Sequence, residues 1–366
     1  MKITHLVTAF TALALLGSVE AGDLESGLAQ MVSAKGDAYV AARDAVVAMG
    51  DAARPTLEAK VKGAWTEESF PTLAAATIAL ARIEHPDLAK RLDRVEGVDA
   101  SSYLRRRRPE PECGRELKQL GADAVGFLLE RHLKTFDRYA FTTAESLPKG
   151  STADPEKLAS EERIALRQAI VYALAESHHP SAFFVCRAVA RDANEVEPAR
   201  LRAAEGLGTQ GTDEALAELV SLQDDASMLG SVKLAAIRGA GRIPTAGALA
   251  FLQGRLAGSS DERRAAVTAI GAFGSYLGWQ ARGAALAKTG DELRASASAA
   301  LVAIVRSAEP GVTEEVLLQA LATIAHPSSR DALAKAKADE SLTPAARSLA
   351  SRALERVDMS LERQGK

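Results

Sequence analysis

A general excess of basic charge is missing from this chain of 366 residues. Forty-five Lys and Arg stand against 48 Asp and Glu, a net charge of −3, whereas nucleic-acid binders usually carry a strong positive surplus. Past the first 20 residues no apolar run is long enough to cross a membrane. Aromatics are scarce at 4%, with two tryptophans. Cysteine occurs twice, as Cys113 and Cys186, so one disulfide is the most the chain can form. Ser-His-Asp arrangements, Gly-rich phosphate loops and paired-carboxylate motifs are also missing, and no catalytic group, cofactor or metal is expected. What is abundant is Ala, Leu, Arg and Glu, all good helix formers.

The first 21 residues, MKITHLVTAFTALALLGSVEA, read differently from the rest. Lys2 gives a positive start, Leu6 to Leu16 an apolar stretch, and Val19-Glu20-Ala21 a small-residue cleavage pattern. This predicts a secretory signal cut after Ala21. The product would be exported to a bacterial periplasm or the extracellular space. Cleavage removes Lys2 and Glu20 and leaves the net charge unchanged.

The remainder repeats itself. Three segments close a helix alike, IALARIEHPDLAKRL, VYALAESHHPSAFFVC and LQALATIAHPSSRDAL, and superimpose on Leu80, Leu174 and Leu321. Leu174, Leu207, Ala240 and Phe273 follow at a constant spacing of 33 residues. A small residue comes next each time: Ala81, Ala175, Gly208, Gly241, Gly274 and Ala322. One turn earlier stand Ala76, Ile170, Ala203, Ala236, Ala269 and Leu317. Columns three and four apart share one helical stripe. The small column predicts a place where neighbouring helices come close, or where the first helix of each unit ends. Each unit is then a pair of antiparallel helices whose apolar stripe is hidden only by stacking.

The Thr-Pro-Leu-His signature of ankyrin repeats is absent, and the Trp and Tyr positions of tetratricopeptide repeats are empty. The chain resembles HEAT repeats, in particular the short HEAT-like repeats of phycobilisome lyases. PARLRAAEGLGTQGTDEALAELVSL, Pro198–Leu222, is the clearest unit. The resemblance implies an all-α, right-handed α-solenoid over residues 22–366, interrupted by a connector at 98–113 and a long loop at 142–160. Deoxyhypusine hydroxylases, a HEAT enzyme class, hold iron with His-Glu pairs. Here no histidine precedes glutamate, so that chemistry is not expected.

Candidate residues sort by column. Cys186 shares a core position with Leu92, Leu219, Leu252, Ala285 and Leu333; packing explains it, with a Cys113–Cys186 disulfide as the alternative in an oxidising compartment. His85, His179 and His326 each precede proline at the mouth of a second helix, which predicts turn-and-cap roles. Arg105, Arg106, Arg107 and Arg108 form either an anion patch or a solvated connector offset by Glu110 and Glu112. Trp279, at the start of a second helix, is either an exposed anchor or a filler beside Gly283 and Ala284. Arg131, Arg187, Arg255 and Arg282 also belong to second helices, which in HEAT arrays line the concave face. Together these features point to a non-catalytic scaffold binding a protein partner on that face. The rivals are a ligand pocket under the 142–160 loop near Cys113 and His132, and polyanion binding through Arg105–Arg108.

Overall fold

The computed structural model describes residues 21–94, 121–136, 141–147, 149–283, 287–307 and 313–364. Among these there is no strand, and the fold is an all-α solenoid. The chain divides into two compact units, residues 1–184 and 185–366. Residues 1–20 of the expected signal, the connector at 98–113 with its four arginines, and Cys113 lie outside the described residues.

In the first unit, α1 (Ala21–Ser33), α2 (Gly36–Ala48) and α3 (Arg54–Val61) surround α4 (Phe70–Glu84), which continues through His85 into α5 (Pro86–Arg94). The other side of α4 is covered by α6 (Val125–Glu130), which runs into a π-helical turn, Arg131–Thr135. The approach of α4 and α6 is close: a Cβ on Gly126 would stand 2.5 Å from both Ala81 Cβ and the Thr77 carbonyl oxygen. The long α7 (Pro155–Glu176) follows, and α8 (Ser181–Arg191) begins at the end of this unit.

The expected loop at 142–160 is shorter than its sequence suggests. Asp154 caps α7 by accepting from the amides of Glu156 and Lys157, so residues 155–160 are already helical. Glu161 and Glu162 therefore lie past the first turn of the helix. Glu162 is fully buried, and its carboxylate accepts from the Thr142 amide at 2.8 Å and the Thr142 hydroxyl at 2.6 Å. That pair ties the start of the loop to the helix.

The second unit holds the clearest repeats. Its first helices are α9 (Glu197–Leu207), α11 (Gly230–Ala240), α13 (Ser260–Phe273), α16 (Glu314–Ile324) and α18 (Pro344–Gln364), each packed on the next. The second helices are α10 (Asp213–Asp224), α12 (Ala246–Arg255), α15 (Ala287–Ser307) and α17 (Pro327–Ala338). Side chains open them: Thr212 accepts from the Ala215 amide, and Thr245 from the Ala248 amide. Ser259 and Glu262 close a reciprocal capping box on α13. Gly211, at φ +68°, makes the left-handed turn that Thr212 follows.

The alignment columns are core columns. Ala76, Ile170, Ala203, Ala236, Ala269 and Leu317 are all buried. The small column marks close approach. A Cβ on Gly208 would collide with the Gly239 carbonyl oxygen; on Gly241 it would stand 2.5 Å from the Ala269 oxygen, and on Gly274 2.7 Å from Ile324 Cγ1.

One unit departs from the spacing. A six-residue helix, α14 (Tyr276–Ala281), stands where the 33-residue register puts a second helix. The second helix that packs on α13 from beyond α14 is α15. The stacking of first helices passes directly from α13 to α16, with Gly271 against Ala320 and Gly274 against Ile324.

Gly208→Ala is expected to cost about 1–3 kcal/mol through overpacking. Gly254 of α12 faces open space, so Gly254→Ala should stabilise by roughly 0.5–1 kcal/mol. Leu219, fully buried, should lose about 2–5 kcal/mol on truncation to Ala. Urea unfolding midpoints check all three; equal midpoints for the two glycine variants would contradict the close approach.

Candidate functional site

The α14 insertion creates the most distinctive surface of the second unit. Ser275 caps it by accepting from the Gly278 amide at 3.3 Å. Positions 277 and 279 lie on opposite sides of so short a helix. Trp279 turns inward and is 7% exposed; its indole Nε1 donates to the Phe273 carbonyl at 2.6 Å, and its ring meets Phe273 edge-on at 5.9 Å. The indole lies on Gly290, where a Cβ would stand 2.5 Å from its Cε3. Trp279 is therefore buried, as the second of its two sequence readings had it, but the indole rests on Gly290 of α15 and not on Gly283. Ala284 lies outside the described residues, and Trp279 belongs to α14 rather than to a second helix.

Leu277 points the other way and is 73% exposed. It borders a groove of about 570 Å³ whose other sides come from the last turn of α16 and the last turns of α18, with Ala322, Arg356, Met359 and Arg363 among its walls. Met359 is 47% exposed. On the opposite side of α14, Tyr276, Trp279, Asp291 and Arg294 line a second hollow of about 440 Å³. Arg294 is buried there and donates to the Gly274 carbonyl at 3.1 Å and the Ile324 carbonyl at 2.7 Å, tying the ends of α13 and α16 together. Burial lowers its pKa, opposed by Asp291 and Tyr276.

The arginines singled out from the sequence serve mainly as clamps. Arg282 donates to the Arg242 carbonyl at 2.9 Å and covers the Trp279 ring at 5.1 Å. Arg255 covers Phe251 and lies 3.7 Å from Asp224. Arg187 is half-buried. Arg131, in the first unit, is buried at the π-helical turn rather than displayed on a surface. Arg131 belongs to the first unit, and Arg187, Arg255 and Arg282 to the second.

In the first unit, a polar centre that the sequence reading missed surrounds Glu130. This buried carboxylate accepts from Tyr39 at 3.0 Å, Arg43 at 2.9 Å and Arg82 at 2.7 Å. Arg82 also makes a paired contact with Asp93 at 2.8 and 3.0 Å, and Arg43 reaches Asp93 at 3.3 Å. Burial and the Glu130 charge raise the Tyr39 pKa. Burial acts to lower the Arg82 and Arg43 pKa values, but Asp93 and Glu130 outweigh it at Arg82, and Glu130 with Asp44 at Arg43, and hold both above the ordinary value. Two buried cations and two carboxylates from α2, α4, α5 and α6 thus neutralise one another. The signal in the sequence was slight: one arginine inside ALARIE and one glutamate closing VGFLLE.

Two of the three column histidines, His179 and His326, behave as the columns predict. His179 Nδ1 accepts from the Ser181 amide at 3.2 Å, and His326 Nδ1 from the Ser328 amide at 3.1 Å, so each caps its following helix. His85 instead lies 3.7 Å from Asp123. Cys186 is a free, fully buried thiol whose pKa burial pushes up to about 12, which leaves it inert as a nucleophile. Among the described residues no cluster of three His, Cys, Asp or Glu could hold a metal.

Comparison with known proteins follows the helices. Residues 197–271 match the family model of HEAT repeats. This segment spans α9 to α13, where the regular stacking lies. No curated protein matches the chain. The solved structure of human deoxyhypusine hydroxylase in complex with glycerol is similar at 19% identity and a TM-score of 0.24, covering 68% of this chain and 99% of that one.

Glu130→Leu would remove the buried carboxylate that Arg43 and Arg82 share, leaving Arg82 with Asp93 and Arg43 with Asp93 and Asp44, at an expected cost of about 3–5 kcal/mol in urea unfolding. Acid should destabilise the protein through His132. Burial, with the Arg167 charge, pushes its pKa down from 6.5 to about 3. The unfolded chain takes up a proton near 6.5 and the folded one does not, so stability is full above pH 6.5 and falls progressively toward pH 3. Burial lowers His179 in the same direction. His132→Gln should flatten the fall in melting temperature between about pH 7 and 5; an unchanged slope would mean that the imidazole titrates freely in the folded protein.

Proposed function

We propose that the chain is an exported, non-catalytic HEAT-repeat scaffold that binds another protein. HEAT repeats over 197–271 support a stacked array whose outer surfaces are formed before any partner arrives. The observation that carries the reading is Leu277, 73% exposed beside Met359 on a groove of about 570 Å³. Large apolar side chains displayed together on a rigid frame are what a protein interface needs at its centre. The arginines expected on second helices serve this role less well, because Arg282 is turned onto the Arg242 carbonyl and the Trp279 ring, Arg255 lies over Phe251 near Asp224, and Arg131 is buried. Export rests on the N-terminal segment of Lys2 to Ala21.

The test is a crosslinking pull-down from the envelope of the native host, with residues 22–366 as bait. Wild type should recover a stoichiometric partner, and a Leu277→Asp, Met359→Asp double variant should lose it. A metal or small molecule retained through purification, with no protein recovered, would overturn the scaffold reading in favour of a ligand site.

A further inference from the structure

We infer that the groove between α14 and the end of α18 receives an acidic segment of the partner that carries a large apolar side chain. This deepens the scaffold reading and rests on it. The charge of the walls comes first. Arg356 and Arg363 line the groove, and no carboxylate does. Arg363 makes no ion pair among the described residues. Arg356 reaches Glu315 at 3.6 Å, with both side chains largely exposed. An exposed pair of that kind contributes roughly 0–1 kcal/mol, so Arg356 can exchange its partner at little cost. The chain as a whole is slightly acidic at −3; the positive wall is local.

The apolar part comes from two elements that meet only in the folded chain. Leu277 extends from α14 and Met359 from the last turns of α18, and Ala322 of α16 lines the same groove. Leu277 has nowhere to turn, because Trp279 occupies the inner side of its six-residue helix. Met359 is unbranched and adapts to irregular shapes. Amide and hydroxyl groups of Gln319, Thr323 and Ser360 complete the rim. A volume of about 570 Å³ admits more than one side chain, so a short peptide segment fits and a single anchoring residue does not fill it. Arginine pairs readily with carboxylates, while a basic segment would meet like charge at both arginines. The occupant these walls select is acidic and amphipathic.

The test is selection of random 16-residue peptides displayed on phage against residues 22–366, followed by fluorescence anisotropy of the enriched peptides. Enriched sequences should be net acidic with large apolar residues three or four apart. Their affinity should fall at least about tenfold, 1.4 kcal/mol, in Leu277→Asp and in Arg363→Glu. Both variants change exposed side chains and should keep the wild-type melting curve. Replacing one acid of the peptide by lysine should restore binding to Arg363→Glu. Enrichment of basic or neutral peptides would overturn the proposal, as would acidic ones that bind both variants like wild type; in the latter case the scaffold reading survives at another surface. Phosphatidylglycerol vesicles bound by wild type but not by Arg363→Glu, with no acidic peptide enriched, would overturn it in favour of a lipid surface. If neither peptides nor partner proteins are captured, both readings fall.

Discussion

The backbone of one first helix lies against the backbone of the next, and the rest of the second unit is arranged around that contact. At Gly208 a single added carbon would collide with the Gly239 carbonyl, and Gly239 itself lies 2.7 Å, measured from an ideal Cβ, from the Ala204 oxygen. Helices this near leave little room between them. Their leucines must therefore point away from the contact and into the layer shared with the second helices, where Leu207, Leu219, Leu222 and Leu252 are fully buried. Packing energy accumulates with each unit, at about 1.5–3 kcal/mol for each leucine fully removed from water. The first unit uses the same device where Gly126 meets Ala81 and the Thr77 carbonyl.

Where the contact passes from α13 to α16, the two helices are neighbours in space but not in sequence. The intervening residues must return from Phe273 to the start of a second helix, and α14 is part of that return. A helix of six residues has one inner side. Trp279 takes it, with an indole bond to Phe273 that satisfies its only donor. Leu277 is left outward because the inner side is already occupied. The groove beside it is thus a consequence of how one unit accommodates extra chain, and the long α18 closes its far side.

Polar groups follow the same economy of space. Arg294 reaches the carbonyls that end α13 and α16, where backbone oxygens lack intrahelical partners. Arg200 does likewise at the Ala190 carbonyl. In the first unit, Arg43 and Arg82 share Glu130 and Asp93. A buried charge without an opposite charge would be far too costly, so these residues pair inward. The buried arginines Arg43, Arg82, Arg200 and Arg294 are internal braces.

Much of this was legible in the residues themselves. The 33-residue columns, the buried stripe through Ala203, Ala236 and Ala269, the capping roles of His179 and His326, and the core place of Cys186 all follow from periodicity, because each depends on neighbours within three or four positions. The second helix of the α13 unit was not legible. Its register was carried forward by spacing, and α14 also begins with a good cap and an apolar residue, so nothing local betrays the insertion. Nor was the centre at Glu130, since Tyr39 and Glu130 are 91 positions apart and neither belongs to a repeating column. Local pattern determined which residues form helices and which side of each helix is apolar. Only tertiary packing decided that Trp279 would be buried and Leu277 exposed, because two side chains on opposite sides of one short helix compete for a single inner space.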